Sequence, residues 1–196
     1  MDGNKLKNKL KMKEEENNMA KSILIPSLIA AKNIDTLNRS FVSATDLDNG
    51  NVFGKGELST NAGESQVYQT VTPTTGSLTG LWMAYSPEDV VLTDGLGNQF
   101  KVGTLDPRAF TNIAGTVFSG FKPQVGDLVL VSADGISGEA NSYAVAANGT
   151  SKLAFASDAI NGLSFKVVET TYISLASANN IGSQRVVAYL LECVAN

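Results

Sequence analysis

Asn-Gly and Asp-Gly pairs recur along this chain of 196 residues and cut it into short apolar runs. They stand at Asn49-Gly50, Asp94-Gly95, Asp134-Gly135, Asn148-Gly149 and Asn161-Gly162. Each pair can supply the positive φ that a tight hairpin turn needs. Between them lie runs rich in Val, Tyr, Phe, Leu and Thr, the residues that favour strands. The predicted strands are 52–58, 66–72, 80–85, 89–93, 99–103, 127–132, 142–147, 152–156, 163–168 and 184–194. The clearest hairpin joins Tyr143–Ala147 to Lys152–Ala156 across Asn148-Gly149. The final run, Arg185–Val194, is apolar on both faces, which predicts a strand central in its sheet or sandwiched between layers. The fold class that follows is mainly β: an antiparallel sandwich or barrel of short strands, with one or two short helices and an N-terminal arm.

Helix signals are few. Asp106-Pro107 offers an N-cap and a first-turn proline for a short helix over 107–113, ended by Gly115. Ser157–Ile160 has room for one helical turn. Pro26 breaks the apolar stretch 22–34, so Ser27 can cap at most a short helix over 28–33. Two readings of 22–34 stand at this point: a first strand and helix packed on their own core, or an arm that docks on a neighbouring subunit.

Residues 1–18 carry five Lys, one Asp and three Glu with no apolar face, a composition that predicts disorder. Lys13-Glu14-Glu15-Glu16 must be encoded by purines alone, two codons before Met19, where a bacterial ribosome-binding site precedes a start codon. The expected organisation is therefore a non-native or disordered leader at 1–18, an arm at 19–50 and a single β domain at 51–196.

Composition narrows the chemistry. The chain has no His, one Cys and a formal net charge of −4. Mechanisms that use His are excluded, as is a disulfide framework. An acidic chain does not fit a basic nucleic-acid surface, and no apolar run approaches the ~18–20 residues of a membrane span. Ser119–Lys122 fits a Ser-x-x-Lys pattern, but Gly120 and Pro123 make a poor helix and the companion motifs are missing. Asp46–Gly50 begins like a calcium loop, yet Gly50 stands at the fifth position, where a ligand is expected, and no Glu follows at the twelfth. Gly54-Lys55-Gly56 and Gly95-Leu96-Gly97 lack the residues of a phosphate loop. The carboxylates Glu57, Glu64, Glu88, Asp89, Asp127 and Glu169 are scattered, without evidence of a pair. Cys193 reads as a buried small hydrophobe. Leu81–Tyr85 is the most aromatic stretch and reads either as a core strand or as an interface anchor. No catalytic, cofactor or metal residues are assigned, and the chain is read as a non-enzyme.

Several runs form a recognisable set: Leu81–Glu88, Leu105–Asn112, Phe121–Asp127, Glu169–Ser174 and Ile181–Arg185. Over residues 20–196 the chain resembles the capsid decoration, or cement, proteins of tailed phages of Gram-positive bacteria. The resemblance implies a structural virion protein on the capsid exterior, assembled in the bacterial cytoplasm. Its partner would be the major capsid protein, and a homo-oligomer, with a trimer favoured, would clamp neighbouring subunits. Strand addition would give the arm a means of attachment. The candidate interface residues are Ile23, Leu24, Ile25, Leu28, Ile29, Trp82 and Tyr85. A tail or baseplate component, or a carbohydrate-binding module using Trp82, Tyr85 or Tyr143, are the other readings.

Overall fold

The computed structural model describes residues 21–60, 66–86, 89–93, 99–103, 107–176 and 183–196. The leader 1–18, the Asp94-Gly95 turn, the 95–97 glycine run, Asp106, Glu64 and Glu88 lie outside these residues.

Five strands close a small barrel: β2 (Asn38–Val42), β3 (Val52–Leu58), β4 (Val67–Val71), β5 (Trp82–Ala84) and β8 (Val117–Phe121). Their order is β2-β4-β3-β5-β8, and only β2 and β4 run parallel. A ring cluster fills it. Phe41 meets Phe53 edge-on at 4.8 Å and Trp82 at 5.2 Å between centroids, and Phe53 meets Phe118 at 5.6 Å. There is no space left at Gly120, where an added Cβ would lie 2.8 Å from two ring carbons of Phe41.

A second sheet has seven strands. Its order is β1-β9-β14-β13-β11-β12-β10. The strands are β1 (Leu24–Leu28), β9 (Leu128–Ser132), β10 (Ile136–Ser137), β11 (Tyr143–Ala146), β12 (Leu153–Ala156), β13 (Ser164–Ala176) and β14 (Ser183–Ala195). The predicted Asn148-Gly149 hairpin is present, with Tyr143 opposite Ala156 and Ala146 opposite Leu153. The final run is internal to the sheet, between β9 and β13. Its two apolar faces serve different cores. Leu191 and Cys193 join the main core, whereas Ala188 packs with Ile23, Ile173 and Leu175. A bulge in β13 between Val167 and Glu169 makes this possible. The extra residue switches the inward face, so Phe165 and Val167 serve the main core and Ile173 and Leu175 the smaller one.

Barrel and sheet share one hydrophobic core. Val52, Met83 and Phe121 point out of the barrel and pack with Leu24, Val129, Val131, Phe165 and Leu191. Their neighbours Phe53, Trp82 and Phe118 point into it. Period-2 alternation therefore buries β3, β5 and β8 on both sides where they face the sheet.

A third pair, β6 (Asp89–Thr93) and β7 (Gln99–Gly103), forms a two-stranded antiparallel sheet separate, among the described strands, from the other two.

The helices are shorter than predicted. Ala30–Asn33 and Pro107–Ala109 are single 3-10 turns, and 157–160 holds a bend at 157–158 and no helical turn. Ser27 does not cap: it lies in β1, and Ile29 occupies the cap position without a side-chain hydrogen bond. After Ala109 the chain is drawn aside, because Asn112 bridges to Leu47 in both backbone directions. Among the turn pairs, Gly50 and Gly149 take positive φ. Gly135 and Gly162 do not; they are packed against Ser22 and Leu78 respectively, with no room for a Cβ.

Candidate functional site

The segment expected to be an arm belongs to the body. Leu24–Leu28 pairs with β9 at the edge of the seven-stranded sheet, and Asn38–Val42 is a barrel strand. Ile23 is pinned on both sides of its peptide: its N–H donates to Ser132 Oγ at 2.9 Å, and its carbonyl accepts from Ser132 N–H at 2.8 Å. The buried carboxylate of Asp127 holds the next turn, accepting from Ala31 N–H at 3.2 Å and Gln124 N–H at 2.8 Å.

This placement divides the candidate interface residues between core and surface. Ile23, Leu24, Ile29 and Trp82 are buried in the chain's own cores, so they are not free to anchor a partner. Ile23 and Leu24, side by side in the chain, pack into different clusters, as do Trp82 and Met83, while Ile29 is buried where β1 meets the following 3-10 turn. Tyr85 is half-buried, edge-on to Phe121 and covered by the Lys32 ammonium 4.7 Å from its ring centre. Ile25 and Leu28 are exposed, at 39% and 67%.

Edges decide what strand addition can use. At β1, Pro26 has no N–H to offer and a register shift follows between Pro26 and Leu28. At the other edge, β10 is two residues long. The barrel has no edge. The β6–β7 ribbon has two.

The motifs weighed in the sequence have structural employment. Asp46 Oδ1 accepts from Ala114 N–H at 2.9 Å, and Asp48 Oδ2 from Ser22 N–H at 3.3 Å. Asn49 is clamped to Ser86 by two hydrogen bonds of 2.9 and 3.0 Å and accepts a third from Asn112 Nδ2. This loop stitches the start of β1 and the 112–114 segment to the end of β5. Ser119 lies in extended β8, so Lys122 is not one helical turn away from it. Glu57 lies in the barrel and Glu169 in the seven-stranded sheet. Burial, and then the charge of Asp127, push the Cys193 thiol up to about 12, so it stays protonated at neutral pH.

One cleft, of about 540 Å³, is open beside the barrel. It is walled by β3 and β4, by the 72–80 segment, and by Lys122 after β8. Five hydroxyl side chains line it, at Thr36, Thr72, Thr74, Ser77 and Thr79, with two lysines, Lys55 and Lys122, and no carboxylate. The Lys55 ammonium stands 4.4 Å from the ring centre of Tyr68, which holds it in place. The 72–80 wall is tied down from outside. Asn148 Oδ1 accepts from Thr75 N–H, Pro73 carbonyl from Gly149 N–H, and Leu78 carbonyl from Leu163 N–H. At its far end, the Asn196 side chain accepts from Leu81 N–H and donates to the Leu81 and Pro123 carbonyls. Nothing in the sequence marks these residues as a group. Lys55 and Lys122 are far apart in the chain, and hydroxyl residues are common throughout it.

Compared with protein-family models, with curated proteins and with solved structures, the chain matches none. No helix among the described residues is long and apolar enough to cross a membrane.

Proposed function

We propose that this protein is a structural component of a phage virion, binding the outer surface of the capsid and holding neighbouring major capsid subunits together. The reading takes its partner from the resemblance carried by Leu81–Glu88, Phe121–Asp127 and the other runs. Its physical support is the contrast between a closed or blunted body and one ribbon with open edges. A clamp needs a rigid β body and a part that reaches out. The β6–β7 ribbon suits the second role better than β1 does. A two-stranded ribbon is marginal in water on its own, and among the described strands neither β6 nor β7 has a second ladder partner, which suits strand addition. Symmetric placement of a homo-oligomer, a trimer in this reading, would add many weak contacts into firm attachment. Of the aromatic residues in the sugar-platform alternative, Trp82 is buried against Phe41, Tyr85 is covered by Lys32 and Tyr143 is half-buried on β11.

The test is co-sedimentation with capsids lacking the protein, followed by electron cryomicroscopy. The full chain should appear as density on the shell. A variant with 89–103 replaced by a short Gly-Ser linker should keep its urea midpoint and lose most of its occupancy. Density on the tail, or no attachment of the full chain, would sink the capsid reading. Unchanged occupancy of the shortened variant would remove the ribbon from it.

A further inference from the structure

We infer that the cleft beside the barrel is a binding site for an acidic polypeptide segment, its carboxylates held by Lys55 and Lys122 and its polar groups by the lining hydroxyls. The volume, about 540 Å³, lies in the range of real ligand sites, ~300–1,000 Å³. The charge is one-signed: two lysines and no carboxylate line the cleft, on a chain whose net charge is −4. Among the described residues the ion pair is Lys21 with Asp48, which leaves Lys55 and Lys122 without a carboxylate partner. On a chain of net negative charge, a site with two lysines and no carboxylate is where an anionic segment meets attraction.

The geometry separates this ligand from two other anions. A phosphate site is built from converging free backbone N–H groups. Here three N–H groups of the 72–81 stretch are committed elsewhere: Thr75 to Asn148, Ser77 to the Thr74 carbonyl, and Leu81 to Asn196. An acidic sugar would look for an exposed aromatic face. The aromatic lining residue, Trp82, is 6% exposed and packed on Phe41. Side-chain ammonium and hydroxyl donors remain, and these match carboxylates spaced along a peptide. The wall that carries the hydroxyls is braced by the 148–149 hairpin loop, so the site is formed before the ligand arrives.

The probe is a fluorescein-labelled peptide of alternating Glu and Ser, followed by anisotropy with the full chain in dilute buffer. Binding is expected, weakening steeply as salt rises through the physiological range. Lys55→Glu and Lys122→Glu should each weaken it at least tenfold, while Lys166→Glu, on β13 away from the cleft, leaves it within twofold. Lys55→Gln and Lys122→Gln serve the same purpose if a reversal does not fold. Competing arms use inorganic phosphate, oligogalacturonate and a Gln-Ser peptide. Overturning results are no binding of the Glu-Ser peptide, equal loss in Lys166→Glu, or equal or tighter binding of phosphate, oligogalacturonate or the neutral peptide. None of these depends on capsid attachment.

Discussion

The barrel and the seven-stranded sheet meet in one core, yet they are built on different terms. The barrel encloses aromatic rings in a space that closure has sized, and its tolerance is set by Gly120 facing Phe41 and Phe53. The sheet packs Val, Leu and Ala on two faces, and it ends in edges that must be managed. Closure removes the edge problem and concentrates risk in volume. An open sheet relaxes the volume constraint and shifts the risk to its rims.

The hardest blow to this contrast falls on the barrel centre. Phe41→Ala should cost about 3–5 kcal/mol in urea denaturation, because it removes the ring that touches Phe53, Tyr68, Trp82 and Phe118. A loss below about 1 kcal/mol would mean that the rings do not hold the barrel. Adding one methyl is the next step down. Gly120→Ala should cost about 1–3 kcal/mol, since its Cβ meets the Phe41 and Phe53 rings and a closed barrel cannot splay. A neutral result would show slack inside the barrel. The smallest effect on stability is expected at the sheet rim. Pro26→Thr should cost at most about 1 kcal/mol. It restores an N–H at the edge, so sedimentation velocity should show added self-association. A strictly unchanged distribution would mean that Pro26 does not guard the edge.

Local sequence was enough for the strands whose residues favour extension on their own. Runs 52–58, 89–93 and 99–103 match their strands residue for residue, and the two-faced character of Arg185–Val194 placed β14 inside its sheet. It failed where tertiary packing overrides propensity. β8 lies outside the predicted strands: Ser119 and Gly120 weaken its extended pattern, although Gly120 makes room for Phe41. β2 lies outside the predicted strands: three of its five residues are polar, although it closes the barrel by pairing β4 and β8. β13 was cut at 168, where the bulge reverses its apolar face and the expected alternation breaks. The cleft was illegible for a related reason: its two lysines are ordinary until four separate segments bring them to one wall.

What the sequence determined by itself was the class of structure. Frequent turn pairs, short Val- and Phe-rich runs and few helix starts leave only a mainly β architecture, and those are local preferences of φ and of side chains. Which strands close on themselves, which edge is blunted, whether residues 22–34 stand out or pack in, and which lysines face one cleft were decided by the tertiary structure. Pairing partners are chosen by how much apolar surface two distant segments bury together, and no window along the chain contains that quantity.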